Sequence, residues 1–472
     1  MGFLFECLFF ETIKGNMYLY SQSLACVLYI HPLIGYYYLA DHNLYQVFSF
    51  DSNNYSNEEQ TYYWKKYQFY KTHKVFDQVD KDNMFIADIN ADMVKSSVEN
   101  TEQIAIELIQ DCNLNCTYCI YGELYNNPFQ YHRINVEYLK KIITHLVDVW
   151  NKQNCIKPKD IRINYYGGEP LIMFDSIVAI TNYIKSLATD NVKFNFGLTT
   201  NGTLLNKEKI DFFAQNNFDI AISLDGDKQS NVYRKYKNGF PVYQKVYDNL
   251  ESIRRTNPDY FKSKIHFISV VHDKNSNFDI RGFFMKEFGI DKIYLGTLNR
   301  IGVNQNKTAL FDAIYRYNNY DDDIIVNGNT YRLYKELDKL SKNYPFPKEV
   351  KKVNRLRLYT GTCLPLSKKL FITAEYILMP CEKIDFDVNF GRIYNGGKIE
   401  IDYQAIAEQH NKNINNVIRQ CKKCYYSELC SFCIYTMKTN SEGLYYCDKF
   451  MNRETYQQYL SQLWNCLENI YS

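Results

Sequence analysis

Three cysteines fall within eight residues, Cys112, Cys116 and Cys119, spaced C-x3-C-x2-C just past the apolar run Ile104–Leu108. Thiolates crowded this closely form a soft-metal site. A 4Fe–4S cube has four irons, so three cysteines leave one iron without a protein ligand. An open iron can bind a small molecule and pass it an electron. Zinc is the competing reading. Zinc sites usually come as two ligand pairs, and the triplet has no nearby fourth cysteine or histidine at such spacing.

Tyr118 stands just before the last cysteine of the triplet. Three further segments follow in order: Tyr166-Gly167-Gly168-Glu169-Pro170, Thr199-Thr200-Asn201-Gly202-Thr203-Leu204-Leu205, and Ile222-Ser223-Leu224-Asp225-Gly226. Together with the triplet they resemble the radical S-adenosylmethionine (radical SAM) superfamily. The closer resemblance is to its SPASM subgroup, which includes anaerobic sulfatase-maturating enzymes and ribosomal-peptide maturases. It spans residues 103–450.

The bulk numbers agree with a large enzyme. The chain has 472 residues, 46% hydrophobic and 23% charged, enough for two or three domains with a substantial core. A formal net charge of +2 argues against a general nucleic-acid or membrane-surface binder. Ten of the 14 cysteines lie in motif-like groups, which points to metal rather than disulfides. No run of about eighteen apolar residues appears, so no membrane span is expected. The first ten residues are apolar but carry Glu6 and no small-residue cleavage site, unlike a signal peptide. Exposed iron–sulfur clusters need a reducing compartment, so a cytoplasmic setting in an oxygen-poor cell is expected.

Residues 1–100 carry no ligand motif. Tyr18–Tyr20 and Ala25–Ile30 read as strands, His31–Leu39 as a turn with a short helix or strand, and Glu58–Tyr70 as a helix. The resemblance implies a small α+β N-terminal domain, in peptide maturases a winged-helix-like module that grips a precursor's leader by strand addition. An extension that merely packs on the barrel fits the length equally. From residue 101 to 305, apolar β-rich runs at Ile104–Leu108, Ile161–Tyr166, Val192–Leu198, Asp219–Leu224, Lys264–Val271 and Lys292–Leu295 alternate with helical stretches such as Val136–Trp150, Phe174–Ala188 and Lys207–Gln215. This is the pattern of a parallel α/β sheet with right-handed crossovers, and it matches the family's partial (β/α)6 TIM-like barrel. Active sites of such folds lie at the C-terminal strand ends, where each motif falls. Residues 306–360 read as a bridge, 361–450 as a cysteine-rich domain, and 451–472 as a C-terminal helix.

The resemblance assigns roles. Gly167, Gly168 and Glu169 would receive the methionine amino group of SAM. Glycines admit a close ligand, although a turn capped by Glu169 is the plainer reading. Thr200, Asn201 and Ser223 suit a ribose. Asp225 serves the ribose or holds the turn at Gly226. Arg234 matches an arginine that pairs with the SAM carboxylate. Val271 would touch adenine.

A second cysteine field follows: Cys363, Cys381, then Cys421, Cys424, Cys430 and Cys433 spaced C-x2-C-x5-C-x2-C, then Cys447. Alone, the Cys421–Cys433 group reads as a zinc knuckle. Behind a radical SAM barrel it resembles the SPASM extension with two auxiliary 4Fe–4S clusters. By position, Cys421, Cys424, Cys430 and Cys447 would hold the distal cluster, and Cys363, Cys381 and Cys433 the nearer one. The family's last spacing is commonly x3, here x2, and its glycine five places before the second cysteine is here Tyr376. Glu382 stands where sulfatase-maturating enzymes carry an aspartate proposed as a base; a surface carboxylate is the alternative.

The expected function is therefore hydrogen abstraction from a ribosomal precursor peptide, ending in a thioether or carbon–carbon crosslink. Reductive cleavage of SAM would start it, fed by a carrier such as flavodoxin or ferredoxin. Sulfatase maturation is the alternative reaction, and a zinc-bearing binding protein the alternative class.

Overall fold

The computed structural model describes residues 88–126, 131–151, 159–315, 362–384, 401–424 and most of 430–455, with isolated strands and residues outside these ranges. The first is a four-stranded antiparallel meander: β1 (Leu8–Thr12), β2 (Asn16–Ser21), β3 (Cys26–Ile30) and β4 (Tyr37–Asp41), in that sheet order. The strands expected near Tyr18 and Tyr29 are β2 and β3, and the segment after Pro32 supplies β4. The helix expected over Glu58–Tyr70 lies outside the described residues. A short β5 (Phe85–Ile86) precedes α1 (Ala91–Glu99), which Asn90 caps by accepting from the Met93 amide.

Six parallel strands then run in sequence order: β6 (Gln103–Ile109), β7 (Lys159–Gly167), β8 (Val192–Thr200), β9 (Asp219–Ser223), β10 (Ile265–Val271) and β11 (Ile293–Thr297). Each lies within about two residues of its expected bounds. The crossovers are α2 (Val136–Asn151), α3 (Phe174–Ser186), α4 (Lys207–Gln215), α5 (Tyr243–Thr256) with α6 (Pro258–Lys264), and α7 (Asn277–Phe288). α2 buries Leu139, Ile142, Ile143, Leu146, Val147 and Trp150, the spacing of one helical face. On β7, Ile161, Ile163 and Tyr165 are buried, and Tyr165 bonds Thr181 of α3. Its intervening residues, Arg162, Asn164 and Tyr166, therefore face the barrel interior. A short α8 (Thr308–Ile314) follows the barrel. No described helix is long and apolar enough to cross a membrane.

The sheet does not stop at six strands. Past β12 (Arg357–Leu358), which pairs with β5, the hairpin β13 (Leu370–Ile372) and β14 (Leu378–Met379) joins its other edge. β13 runs parallel to β6, pairing Leu370 with Ile104 and Ile372 with Ile106. The cysteine-rich segment and the barrel thus share one eight-stranded sheet. Two short hairpins, β15 (Arg392–Ile393) with β16 (Ile399–Glu400) and β17 (Lys438–Thr439) with β18 (Tyr445–Tyr446), flank a long α9 (Tyr403–Lys423). The Asn411 side chain of α9 bonds both backbone groups of Ile89, at 2.9 and 2.8 Å.

The turn between β13 and β14 contains Tyr376 at φ +64°, a left-handed conformation that favours glycine. The ring compensates. Its hydroxyl accepts the Asn135 amide at 2.7 Å, and it meets Tyr138 edge-on at 4.6 Å. Once those contacts are removed the backbone preference should surface. Tyr376→Gly should therefore be more stable than Tyr376→Ala by about 1 kcal/mol in denaturant unfolding, with both below wild type. An alanine variant at least as stable as the glycine variant would contradict a strained turn.

Candidate functional site

The loop 110–122 leaves β6 with little secondary structure of its own and is held from both flanks. Asp111 accepts the Cys112 amide at 2.8 Å and Lys237 Nζ at 2.8 Å. On one flank the loop runs antiparallel to residues 233–237. The Asn115 amide donates to Lys235 O at 2.8 Å, the Thr117 amide to Tyr233 O at 3.0 Å, and Leu114 bridges Tyr236. Cys116 consequently stands opposite Arg234. On the other flank, the Gly168 amide donates to Ile109 O at 2.7 Å and the Glu169 amide to Asp111 O at 3.1 Å. Gly167 has φ +135°, and a Cβ there would lie 2.2 Å from Ile109 O; one on Gly168 would lie 2.2 Å from Asp111 O. What these glycines admit is the loop's own backbone, where a ligand was expected.

Glu169 follows and is fully buried. Its carboxylate accepts from Thr200 Oγ1 at 2.7 Å, the Asn201 amide at 2.8 Å and the Leu171 amide at 3.0 Å. Burial nevertheless pushes its pKa up to about 7. Asn201 Nδ2 donates to Asn113 Oδ1 at 2.9 Å and lies 3.7 Å from Cys112 Sγ. The ends of β7 and β8 are thereby sewn beneath the thiols. Cys112 and Cys119 are raised by burial and by neighbouring thiols, Cys119 to about 12, and Cys116 by burial.

Asp225, just past β9, is a second hub. It accepts from Arg234 Nε and Nη2 at 2.9 Å each, from the Val270 amide at 2.9 Å, and from the Tyr118 hydroxyl. The Arg234 guanidinium lies 5.5 Å over the Tyr118 ring, which also stacks at 5.9 Å with the buried His272.

A sequence model of the radical SAM superfamily matches residues 106–277, the stretch that runs from the thiol loop through Asp225 and beyond β10. This is a radical SAM domain. The chain is 30% identical over 190 residues to a cysteine-type anaerobic sulfatase-maturating enzyme of Clostridium novyi, covering 39% of this chain and 44% of that protein. It is 24% identical over 273 residues to the radical SAM cyclopropyl synthase TigE of Paramaledivibacter caminithermalis, covering 51% and 52%. The chain thus spans about half the length of these curated relatives. A solved structure described as native anSMEcpe with bound AdoMet and Kp18Cys peptide has the same fold, with TM-score 0.53, 19% identity, and coverage of 78% of this chain and 98% of that one.

The radical SAM domain's donor set fits an iron–sulfur cluster. Burial disfavours all three thiols as anions, so they need a cation to ionise, and Arg234 offsets this only in part at Cys116 and Cys119. Among the described residues no three ligand groups converge as they would around a single metal ion. A cube does not ask for that, because each cysteine takes its own iron. The other expected contacts divide. Ser223 is partly exposed at the end of β9, and Val271 is buried. Glu169 holds the turn through Thr200, Asn201 and Leu171. Arg234, expected at the SAM carboxylate, gives Nε and Nη2 to Asp225 and keeps its other N–H groups.

The second cysteine field separates into groups. Cys421 is raised to about 12 by burial and then by Cys430, Cys447 and Cys424. Gln420 binds the Cys447 amide at 2.9 Å, and the Met451 amide reaches Cys424 Sγ at 3.5 Å, so residues 447–451 wrap around the end of α9. Cys433 is influenced by Cys363, and the Ile434 amide donates to Thr362 Oγ1 at 2.9 Å. Cys381 lies nearer the barrel. Tyr166 feels Glu382 and Cys381 as well as Cys119. Glu382 is not a surface group; Lys369 Nζ bonds both its oxygens at 2.7 Å. Burial would raise its pKa, but Lys369 prevails and holds it below the ordinary value.

Glu107, Tyr121, Asn113 and Lys369 carried no sequence signal, since each acts through a distant partner. The apolar run around Glu107 was the single hint, because a lone carboxylate there must be paired. Glu169 yields a test. With a folded pKa near 7 and an unfolded value near 4.5, the folded state binds the extra proton between them. Its contribution is therefore full below about pH 4.5 and lost as pH rises through about 7, by up to about 3 kcal/mol. Relative to Glu169→Gln, wild-type melting temperature should fall across that window. Parallel pH profiles would refute a buried proton.

Proposed function

We propose that the chain is a peptide- or protein-modifying radical SAM enzyme. Its substrate is a ribosomal precursor peptide that loses hydrogen from a side chain or α-carbon and gains a thioether or carbon–carbon bond. The observation that carries this reading is that the hairpin leading to Cys381 and Glu382 pairs with β6, the strand that leads to Cys112, Cys116 and Cys119, with Tyr166 of the neighbouring β7 feeling Cys119, Cys381 and Glu382 alike. A substrate in the barrel mouth would meet both cysteine fields there. Cys112, Cys116 and Cys119 would hold the cluster, which would supply the one-electron chemistry that opens SAM toward hydrogen abstraction. Ser223 offers a hydroxyl to the ribose, and Val271 lends apolar cover to adenine. Cys421, Cys424, Cys430 and Cys447 would hold one auxiliary cluster. Cys363, Cys381 and Cys433 would hold a second, which would supply an acceptor for an electron left on the substrate. Glu382, kept ionised by Lys369, accepts the proton released as the new bond forms. β1 and β4 are the edges of the N-terminal meander, and an extended leader would pair with one of them.

Sulfatase maturation is the second reading, favoured by the 30% identity to the Clostridium novyi enzyme. One assay separates the two. The reconstituted protein, SAM and dithionite are incubated with a precursor peptide or with a sulfatase-derived peptide. A hydrazine-trappable aldehyde on the sulfatase peptide alone would favour the second reading. A crosslink in the precursor would favour the first. With either substrate, 5′-deoxyadenosine release should fall to background in the Cys112→Ala/Cys116→Ala/Cys119→Ala variant. Undiminished release from that variant would overturn both.

A further inference from the structure

We propose that segments 131–133 and 235–241 form the landing surface for a small acidic electron-carrier protein of the flavodoxin type. It would deliver, beside the thiol loop, the electron that the reaction consumes, so the proposal rests on the cluster reading above. Both segments are tied to that loop. The Gln110 amide donates to His132 O at 3.0 Å, and Arg133 bridges Ile109. The Asn115 amide reaches Lys235 O, and Leu114 bridges Tyr236. Past Tyr236 the chain doubles back, with the Tyr236 amide on Phe240 O at 2.9 Å and Gly239 at φ +85°. This turn holds the Phe240 ring out, 66% exposed. Tyr131 is 64% exposed, and Lys237 Nζ lies 5.8 Å from its ring. Tyr131 also has φ +60°, uncommon for a bulky residue. Tyr376 offsets the same conformation through Asn135 and Tyr138, whereas Tyr131 turns its ring to solvent.

The charge of this surface selects the partner. Neither Tyr131-His132-Arg133 nor Lys235-Tyr236-Lys237-Asn238-Gly239-Phe240-Pro241 contains a carboxylate. Among the described residues Asp111 bonds Lys237 and Glu375 faces His132, while the exposed Lys235 and Arg133 have no carboxylate partner. Cations and apolar rings standing together in water fit an anionic protein whose redox group shows an apolar edge, as a protein-bound flavin does. The surface is small, as suits electron-transfer encounters, which bury under about 1,200 Å² and rely on charge steering. A permanent subunit would need a larger apolar face. The place also suits the task. Asn115 is exposed between Cys112 and Cys116, so the thiol loop itself reaches the surface beside Lys235.

The test uses the full chain, reconstituted anaerobically with iron and sulfide, and a fluorescently labelled bacterial flavodoxin as the probe. Fluorescence anisotropy reads binding, which should weaken steeply between about 50 and 200 mM salt. Arg133→Glu/Lys235→Glu should raise Kd about tenfold or more. Release of 5′-deoxyadenosine driven by reduced flavodoxin should fall with it, while release driven by dithionite stays at the wild-type level. Lys193→Glu/Lys262→Glu makes the same charge change on exposed residues at the opposite strand ends and should bind as wild type does. Wild-type binding by Arg133→Glu/Lys235→Glu, or an equal loss in the Lys193→Glu/Lys262→Glu control, overturns the proposal. Should the first pair disturb the fold, Phe240→Ser decides, because its side chain stands in solvent. Undiminished flavodoxin binding by Phe240→Ser would then overturn the surface. A wild-type protein that releases no 5′-deoxyadenosine with dithionite would sink the cluster reading, a distinct failure that takes this electron route with it.

Discussion

Gly167 and Gly168 approach Ile109 and Asp111 so closely that no side chain fits between the two segments. This approach fixes how the chain enters the thiol loop, and the rest of the site is built outward from it. Glu169 is delivered at once to Thr200 and Asn201, and Asn201 to Asn113 and Cys112. The opposite flank is clamped by residues 233–237. Each of these bonds contributes on the order of 1 kcal/mol, so several are needed to offset the ordering of an irregular loop carrying three thiols.

The same loop is tied to the second cysteine field through one buried carboxylate. Glu107 accepts from the Tyr121 hydroxyl, from the Ala374 amide at 2.9 Å and from Gln110 at 3.3 Å. Burial raises its pKa. Tyr121 belongs to the end of the thiol loop, and Ala374 to the turn that leads toward Cys381. With β13 paired to β6, the hairpin bearing Cys381 and Glu382 is fixed against the first barrel strand. Two cysteine-bearing regions distant in sequence therefore share one sheet.

The barrel was legible because its strands are β-rich runs of the right length with apolar residues at alternate or consecutive positions, and each glycine-rich or polar motif marks a strand end. Periodicity found the helices for the same reason: one face of each is buried in a common core. What stayed hidden depends on partners far apart in sequence. Nothing local in Leu370–Ile372 says that it extends the barrel sheet rather than a separate domain. The expected boundary at 361 is crossed by backbone pairing for that reason. Arg234 carries the residue type suited to a carboxylate, but nothing local says that its fork also bonds Asp225. Tyr376 occupies a glycine's position without a glycine's freedom, and only its contacts with Asn135 and Tyr138 make that tolerable. The helix expected over residues 58–70 and most of the bridge over 306–360 lie outside the described residues.

The account depends most on the three thiols holding an incompletely ligated iron–sulfur cube. Mössbauer spectroscopy of anaerobically purified, iron-57-enriched protein tests this directly, with and without SAM. About twelve irons per chain are expected if all three clusters are cubes. One iron of the cube at Cys112, Cys116 and Cys119 should change its spectrum when SAM binds, and that change should vanish when those cysteines are replaced. A colourless protein containing zinc and no iron would contradict the account.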